Sequence, residues 1–66
     1  MQYRAEVFFI DTEDVAADLG HWESRRDAQA ACMAHALEVL TWEQARPGIW
    51  QASTSVYWYR VRVAAS

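Results

Sequence analysis

From Arg25 to Leu40 the chain passes through Ala28, Ala30, Ala31, Ala34, Ala36 and Leu37, and no glycine or proline interrupts it. These are strong helix formers. Ser24 stands directly before the run and Asp27 lies three residues on, the pattern of an N-cap followed by an acidic first turn. The spacing predicts one helix, from Arg25 to about Leu40. At 100° per residue, Ala28, Ala31, Cys32, His35 and Val39 share a face whose small side chains allow close approach to a sheet. Met33, Leu37 and Leu40 fall on the opposite face. That apolar stripe is either a second partner-binding surface or the true core side of the helix.

The segments on either side read as strands. Tyr3 to Ile10 is rich in strand formers, with Tyr3, Ala5, Val7 and Phe9 assigned to the core and Arg4, Glu6, Phe8 and Ile10 to the other face. Asp11 to Asp14 is a polar turn. Val15 to Trp22 reads as the return strand of a hairpin, with a short helix stopped by Gly20 as the alternative. Leu40 to Arg46 alternates as a strand. Pro47-Gly48 then turns the chain, and Ile49 to Ala52 returns. Trp42 and Trp50 lie on either side of that turn and are expected to pair across the strands. Ser53-Thr54-Ser55 is a further turn. Val56 to Val63 alternates most clearly, with Tyr57, Tyr59, Val61 and Val63 facing the core and Trp58, Arg60 and Arg62 facing away. The tail from Ala64 to Ser66 is expected to fray. The fold class is α+β: a single domain over residues 1–66, ββαβββ or βαβββ, with an antiparallel sheet of four to five strands and one helix packed on one face.

Sixty-six residues, 53% of them hydrophobic and 23% charged, describe a globular domain. Four Trp, three Tyr and two Phe supply the bulk with which so short a chain can close a core. The net charge of −3 argues against a domain whose whole surface is basic, while leaving room for a local arginine patch. Cys32 is the only cysteine, so no internal disulfide forms, and two scattered histidines beside it make no metal framework. No apolar run approaches the roughly 20 residues that span a bilayer, and no signal-peptide pattern is expected at the N-terminus. The expectation is a cytoplasmic protein with no cofactor, no metal, no membrane partner and no enzymatic activity.

Three groups of residues invite a functional reading. Cys32 and His35 could form an activated thiolate pair, but no oxyanion-hole loop or third orienting residue accompanies them; a small apolar cysteine and a histidine with one hydrogen bond is the simpler reading. Asp11, Glu13, Asp14 and Asp18 lack the spacing and central glycine of a calcium loop and read as a solvated turn. Arg4, Phe8, Trp58, Arg60 and Arg62 share the sheet face turned away from the helix. Tryptophan and arginine are the residues of interface hot spots, so this set is the leading partner-binding surface, for another protein or a second copy. The same residues suit base stacking and phosphate pairing, which makes a nucleic-acid module the alternative. A plain surface with Glu6 paired across strands is the third reading.

Two resemblances add to this. Leu19-Gly20-His21-Trp22-Glu23-Ser24, with Ala28, Ala30 and Ala31 after it, resembles the last strand and helix of plant ethylene-response DNA-binding domains and the N-terminal domains of some integrases. That likeness implies three strands before the helix and a sheet that reads DNA with Arg and Trp; this chain has at most two strands there and is acidic. Over most of its length the chain also looks like small α+β proteins of actinobacterial phages and their hosts. Ala34-His35-Ala36, Leu40-Thr41-Trp42, Pro47-Gly48-Ile49-Trp50 and Tyr59-Arg60-Val61 carry that likeness. The absence of lysine and asparagine fits the same GC-rich origin. The likeness implies no settled activity; many such proteins act by binding a host component.

Overall fold

The longest ladder in the molecule joins the two ends of the chain. In the computed structural model, which describes residues 1–64, β1 (Gln2–Phe9) pairs antiparallel with β5 (Tyr57–Ala64) from Gln2 opposite Ala64 to Phe9 opposite Tyr57. β2 (Val15–Trp22) returns beside β1, while β3 (Glu43–Arg46) and β4 (Ile49–Ser53) complete the other side. The strand order is β2-β1-β5-β4-β3, antiparallel throughout. One helix, α1 (Arg25–Ala36), lies between β2 and β3 in the chain and packs on β1, β2 and β5. The fold is thus α+β, ββαβββ, and residues 15–22 are strand.

Alternation decides what is buried. Ala5 and Val7 of β1 and Tyr59 and Val61 of β5 are fully buried against Ala28 and Cys32 of α1. Small residues on the helix let it sit close to a sheet filled by tyrosine and valine, a volume match that close packing requires. Ser24 caps the helix as its sequence implies, its hydroxyl accepting from the Asp27 amide at 3.1 Å. Gly48 turns the β3–β4 hairpin at φ +82°, a conformation open to glycine and strained for other residues. The Thr54 hydroxyl accepts from the amides of Val56 and Tyr57 and closes the β4–β5 turn.

The helix ends four residues before the expected point. Leu37 adopts the left-handed conformation, φ 60° and ψ 29°, and breaks the ladder there. For a non-glycine residue that geometry costs roughly 1–2 kcal/mol. The residues beyond it explain the break: Leu40, only 6% exposed, joins the buried cluster that also holds Ala52, and Trp42 and Trp50 pack against that cluster. A continued helix would carry Leu40 away from β4. Tertiary burial has overridden helix propensity.

Four expectations are corrected by this exit. Val39 is 89% exposed and not on the sheet side. Met33, Leu37 and Leu40 form no stripe: Met33 is half-buried against the core, Leu37 is exposed and Leu40 is buried beyond the helix. The third strand begins at Glu43 and not at Leu40. Trp50 therefore stands opposite Gln44, and its aromatic neighbour is Tyr3 at 6.1 Å, not Trp42. Ala64, expected to fray, is the last residue of β5 and is buried; Ala65 and Ser66 lie outside the described residues.

Candidate functional site

The β1–β5 register fixes the open face of the sheet. Arg4 stands opposite Arg62, Glu6 opposite Arg60 and Phe8 opposite Trp58. Residues two apart on a strand share a face, so these six side chains lie together, away from α1. All five residues expected at a partner-binding surface on the sheet are brought together here, and Glu6 lies among them.

Like charges directly across a ladder repel, and Arg4 opposite Arg62 needs relief. Two carboxylates supply it. Glu6 Oε1 accepts from Arg60 Nε at 3.0 Å, from Arg60 Nη2 at 2.9 Å and from Arg62 Nε at 3.0 Å. Arg4 is drawn the other way, its Nη2 donating to Asp18 Oδ2 of β2 at 2.7 Å, while its Nε lies 3.7 Å from Glu6 Oε2. Asp18 is held in turn: its Oδ1 accepts from the amide of Gly20, where β2 bulges and φ reaches +87°. Glycine at that position allows the bulge that sets Asp18 toward Arg4.

Glu6 is 8% exposed. Burial pushes its pKa up, but the hydrogen bonds and charges of Arg62 and Arg60 outweigh burial and hold it below the ordinary carboxylate value. The Gly20 amide and then Arg4 lower that of Asp18, and Asp18 raises that of Arg4. Both carboxylates are therefore ionised at neutral pH. Arg4, Arg60 and Arg62 against Glu6 and Asp18 leave this cluster one net positive charge on a chain of −3, while Glu13 and Glu43 line the cavity beside Trp58.

Beside the charged web, Phe8 and Trp58 stack with ring centroids 4.2 Å apart. The Arg60 guanidinium lies 5.0 Å from the Phe8 ring centroid and 5.9 Å from that of Trp58, within cation–π range. Phe8 is buried by this arrangement, while Trp58, Arg4, Arg60 and Arg62 are each half-buried. The guanidiniums keep N–H groups that Glu6 and Asp18 do not use, on side chains whose orientation is already fixed.

The sequence reading placed Asp18 in a solvated turn and did not connect it with Arg4. Asp11, Glu13 and Asp14 do lie exposed in the β1–β2 turn. Register shifts on either side of Ala17 and Asp18, between Gly20 and Asp18 and between Ala17 and Val15, place Asp18 opposite Glu6, and no alternation within β2 alone shows them. Cys32 is fully buried, and burial pushes its thiol up to about 12, far from the thiolate that nucleophilic chemistry uses. His35 makes its hydrogen bond with the Tyr59 hydroxyl, Nδ1 to Oη at 2.9 Å. Its ring meets Tyr57 and Tyr59 edge-on. Among the described residues no group of three His, Cys, Asp or Glu is placed to hold a metal ion, and no helix is long and apolar enough to cross a membrane.

No family profile matches the chain, and no curated protein or solved structure is significantly similar to it. The geometry of the surface itself carries the functional reading.

Proposed function

We propose that this chain is a non-enzymatic protein-binding domain, an accessory protein of an actinobacterium or its phage, working in the cytoplasm and docking a partner protein on its open sheet face. One observation carries the reading: Glu6 and Asp18 hold three arginines in place next to the stacked pair of Phe8 and Trp58. Ordering long side chains on binding costs roughly 0.5–1.5 kcal/mol each. Here the fold has already met much of that cost, so the remaining guanidinium N–H groups meet a partner carboxylate with little further loss. Half-buried arginine and tryptophan side by side are the composition of a hot spot. The favoured partner is a protein surface that brings carboxylates to the arginines and an apolar group to the indole. Phosphates and bases would use the same atoms, which keeps a nucleic-acid module as the second reading.

The test uses immobilised domain and host lysate, with Trp58→Ala and Arg62→Gln compared to the unaltered chain after circular dichroism confirms that each folds. The reading requires one partner to be retained by the unaltered domain and lost by both variants, with capture reduced by salt only as far as a few ion pairs require. Capture of the same partner by all three proteins excludes the sheet face. Binding to duplex or single-stranded DNA that falls steeply with salt replaces the protein partner by a nucleic acid.

A further inference from the structure

Several of the exposed large apolar side chains gather at one end of the molecule, apart from Met1, Trp22 and Val63. Phe9, Val15 and Val56 line one groove where the β1–β2 and β4–β5 turns meet, and the Ile10 amide donates to the Val56 carbonyl at 3.0 Å. Val56 also lines a second groove, together with Ala36 and Glu38 of the helix exit. Leu37 and Val39 flank Glu38 and are the most exposed large apolar residues of the described chain, at 90% and 89%. Val56 therefore stands between two grooves, and Leu37 and Val39 sit beside the second one, next in the chain to its lining residues Ala36 and Glu38. Contiguous exposed apolar surface on a small domain marks a contact site.

Leu37 gives that reading a second support. At φ 60° a glycine would be unstrained, and a leucine is not. The side chain returns nothing to the isolated fold, because it is almost fully exposed. Both the backbone and the surface argue for a glycine here if stability alone were served. A strained, exposed leucine is explained by a contact that the isolated chain does not make.

The charges choose the partner. Asp11 and Asp14 line the first groove and Glu38 the second, and Glu13 belongs to the same turn. No arginine lines either groove among the described residues. A second copy joined about a two-fold axis would set these acids against themselves, and an anionic membrane would be repelled. We infer that this end docks a basic amphipathic segment of a partner protein, its apolar side chains on Leu37, Val39, Val56 and Phe9 and its lysines or arginines on Asp11, Asp14 and Glu38. The surface is separate from the open sheet face, and the inference stands without the function proposed for that face.

The probe is a synthetic amphipathic helix of leucine and lysine, about eighteen residues and so about five turns long. A leucine and glutamate helix of the same pattern is the control. Amide shifts in NMR are expected to map to residues 9–15, 37–39 and 54–56 with the basic helix and to be absent with the acidic one. Leu37→Gly and Val56→Ser, checked for folding by circular dichroism, should each weaken binding roughly tenfold. Shifts that map elsewhere, equal binding of the two helices, or unaltered affinity in Leu37→Gly would overturn the inference. So would tight binding to phosphatidylglycerol vesicles, or a dimer in sedimentation that Leu37→Gly abolishes, each naming a different occupant.

Discussion

The open sheet face and the turn end both present large side chains to solvent, yet they stand in opposite relation to the fold. On the sheet face each group has a task inside the chain: Glu6 binds Arg60 and Arg62, Asp18 binds Arg4, and Phe8 is buried beneath Trp58 and Arg60. At the turn end Leu37, Val39, Val15 and Val56 are more than half exposed. The difference teaches that exposure alone does not identify a binding surface in so small a domain. A residue that holds the fold together and one that waits for a partner are told apart by what their loss does to stability. Substitutions on the sheet face should therefore lower stability along with binding, and those at the turn end should separate the two.

The largest expected effect is at Glu6. Glu6→Ala leaves three arginines around an empty site, with Arg4 and Arg62 facing each other across the ladder. Removing one member of a buried charged cluster costs about 3–5 kcal/mol, and the half-exposed arginines reduce that to about 2–3 kcal/mol here. For a domain of this size the melting temperature should fall by roughly 10–20 °C. A thermal melt followed by circular dichroism measures it. A fall of only a degree or two would mean that water replaces Glu6, and the contrast between the two surfaces would lose its basis.

Trp58→Ala comes next. It removes the stack on Phe8 and uncovers that ring, at an expected cost of about 2 kcal/mol, below the range for a fully buried tryptophan because Trp58 keeps part of its surface in water. Urea denaturation should show the midpoint lowered with little change in slope. A neutral result would move Trp58 from the fold to the partner and make the sheet face resemble the turn end.

Acid sharpens the comparison by a smaller amount. The folded pKa of Glu6 and of Asp18 lies below the unfolded value. The stability these groups contribute is fully present above the unfolded value, ordinarily 4.5 for the glutamate, and is lost as pH falls through the folded one. Melting temperature should stay level from neutral pH to about 5 and then decline. Glu6→Gln should lower the plateau and flatten that decline. An equally steep decline in the variant would assign the acid sensitivity to other carboxylates.

How much of the molecule was legible in the sequence depends on the range of each interaction. The facing of the middle of β1 and β5 was readable because a period of two needs only local residues: Tyr59 and Val61 are buried and Arg60 and Arg62 are not, as the alternation implies, whereas Phe9 and Val63, assigned to the core, are exposed and Phe8, assigned to the outer face, is buried. The cap at Ser24 and the turn at Gly48 are local chemistry as well. The end of the helix was not legible, because it depends on Leu40 joining a core built from distant parts of the chain, and a propensity scale holds no such term. The expected Trp42–Trp50 pair failed for the same reason, since Trp42 leaves the strand to pack on that core. The arginines and aromatics of the sheet face could be grouped once β1 and β5 were taken as neighbours. Asp18 could not be, because a bulge at Gly20 changes the phase of β2. The turn end was invisible, since it is assembled from three segments that meet only in the fold.

The smallest expected effect is also the one that separates the surfaces most cleanly. Leu37→Gly relieves a left-handed leucine, worth roughly 1–2 kcal/mol. Against that, glycine at this position adds freedom to the unfolded chain and returns about 0.4–1 kcal/mol of the gain. The net should be a stabilisation of about 0.5 kcal/mol, a rise of roughly 2–4 °C in melting temperature. Glu13→Gly is the control, since Glu13 has the same φ of 60° in an exposed turn with no large apolar side chain to lose. If strain is the whole matter, both variants gain alike. If Leu37→Gly instead destabilises while Glu13→Gly gains, the leucine makes a contact within the fold and belongs with Glu6 and Trp58. A gain at Leu37 would mean that this chain keeps a residue its own stability disfavours, and the pressure that keeps it must come from outside the fold.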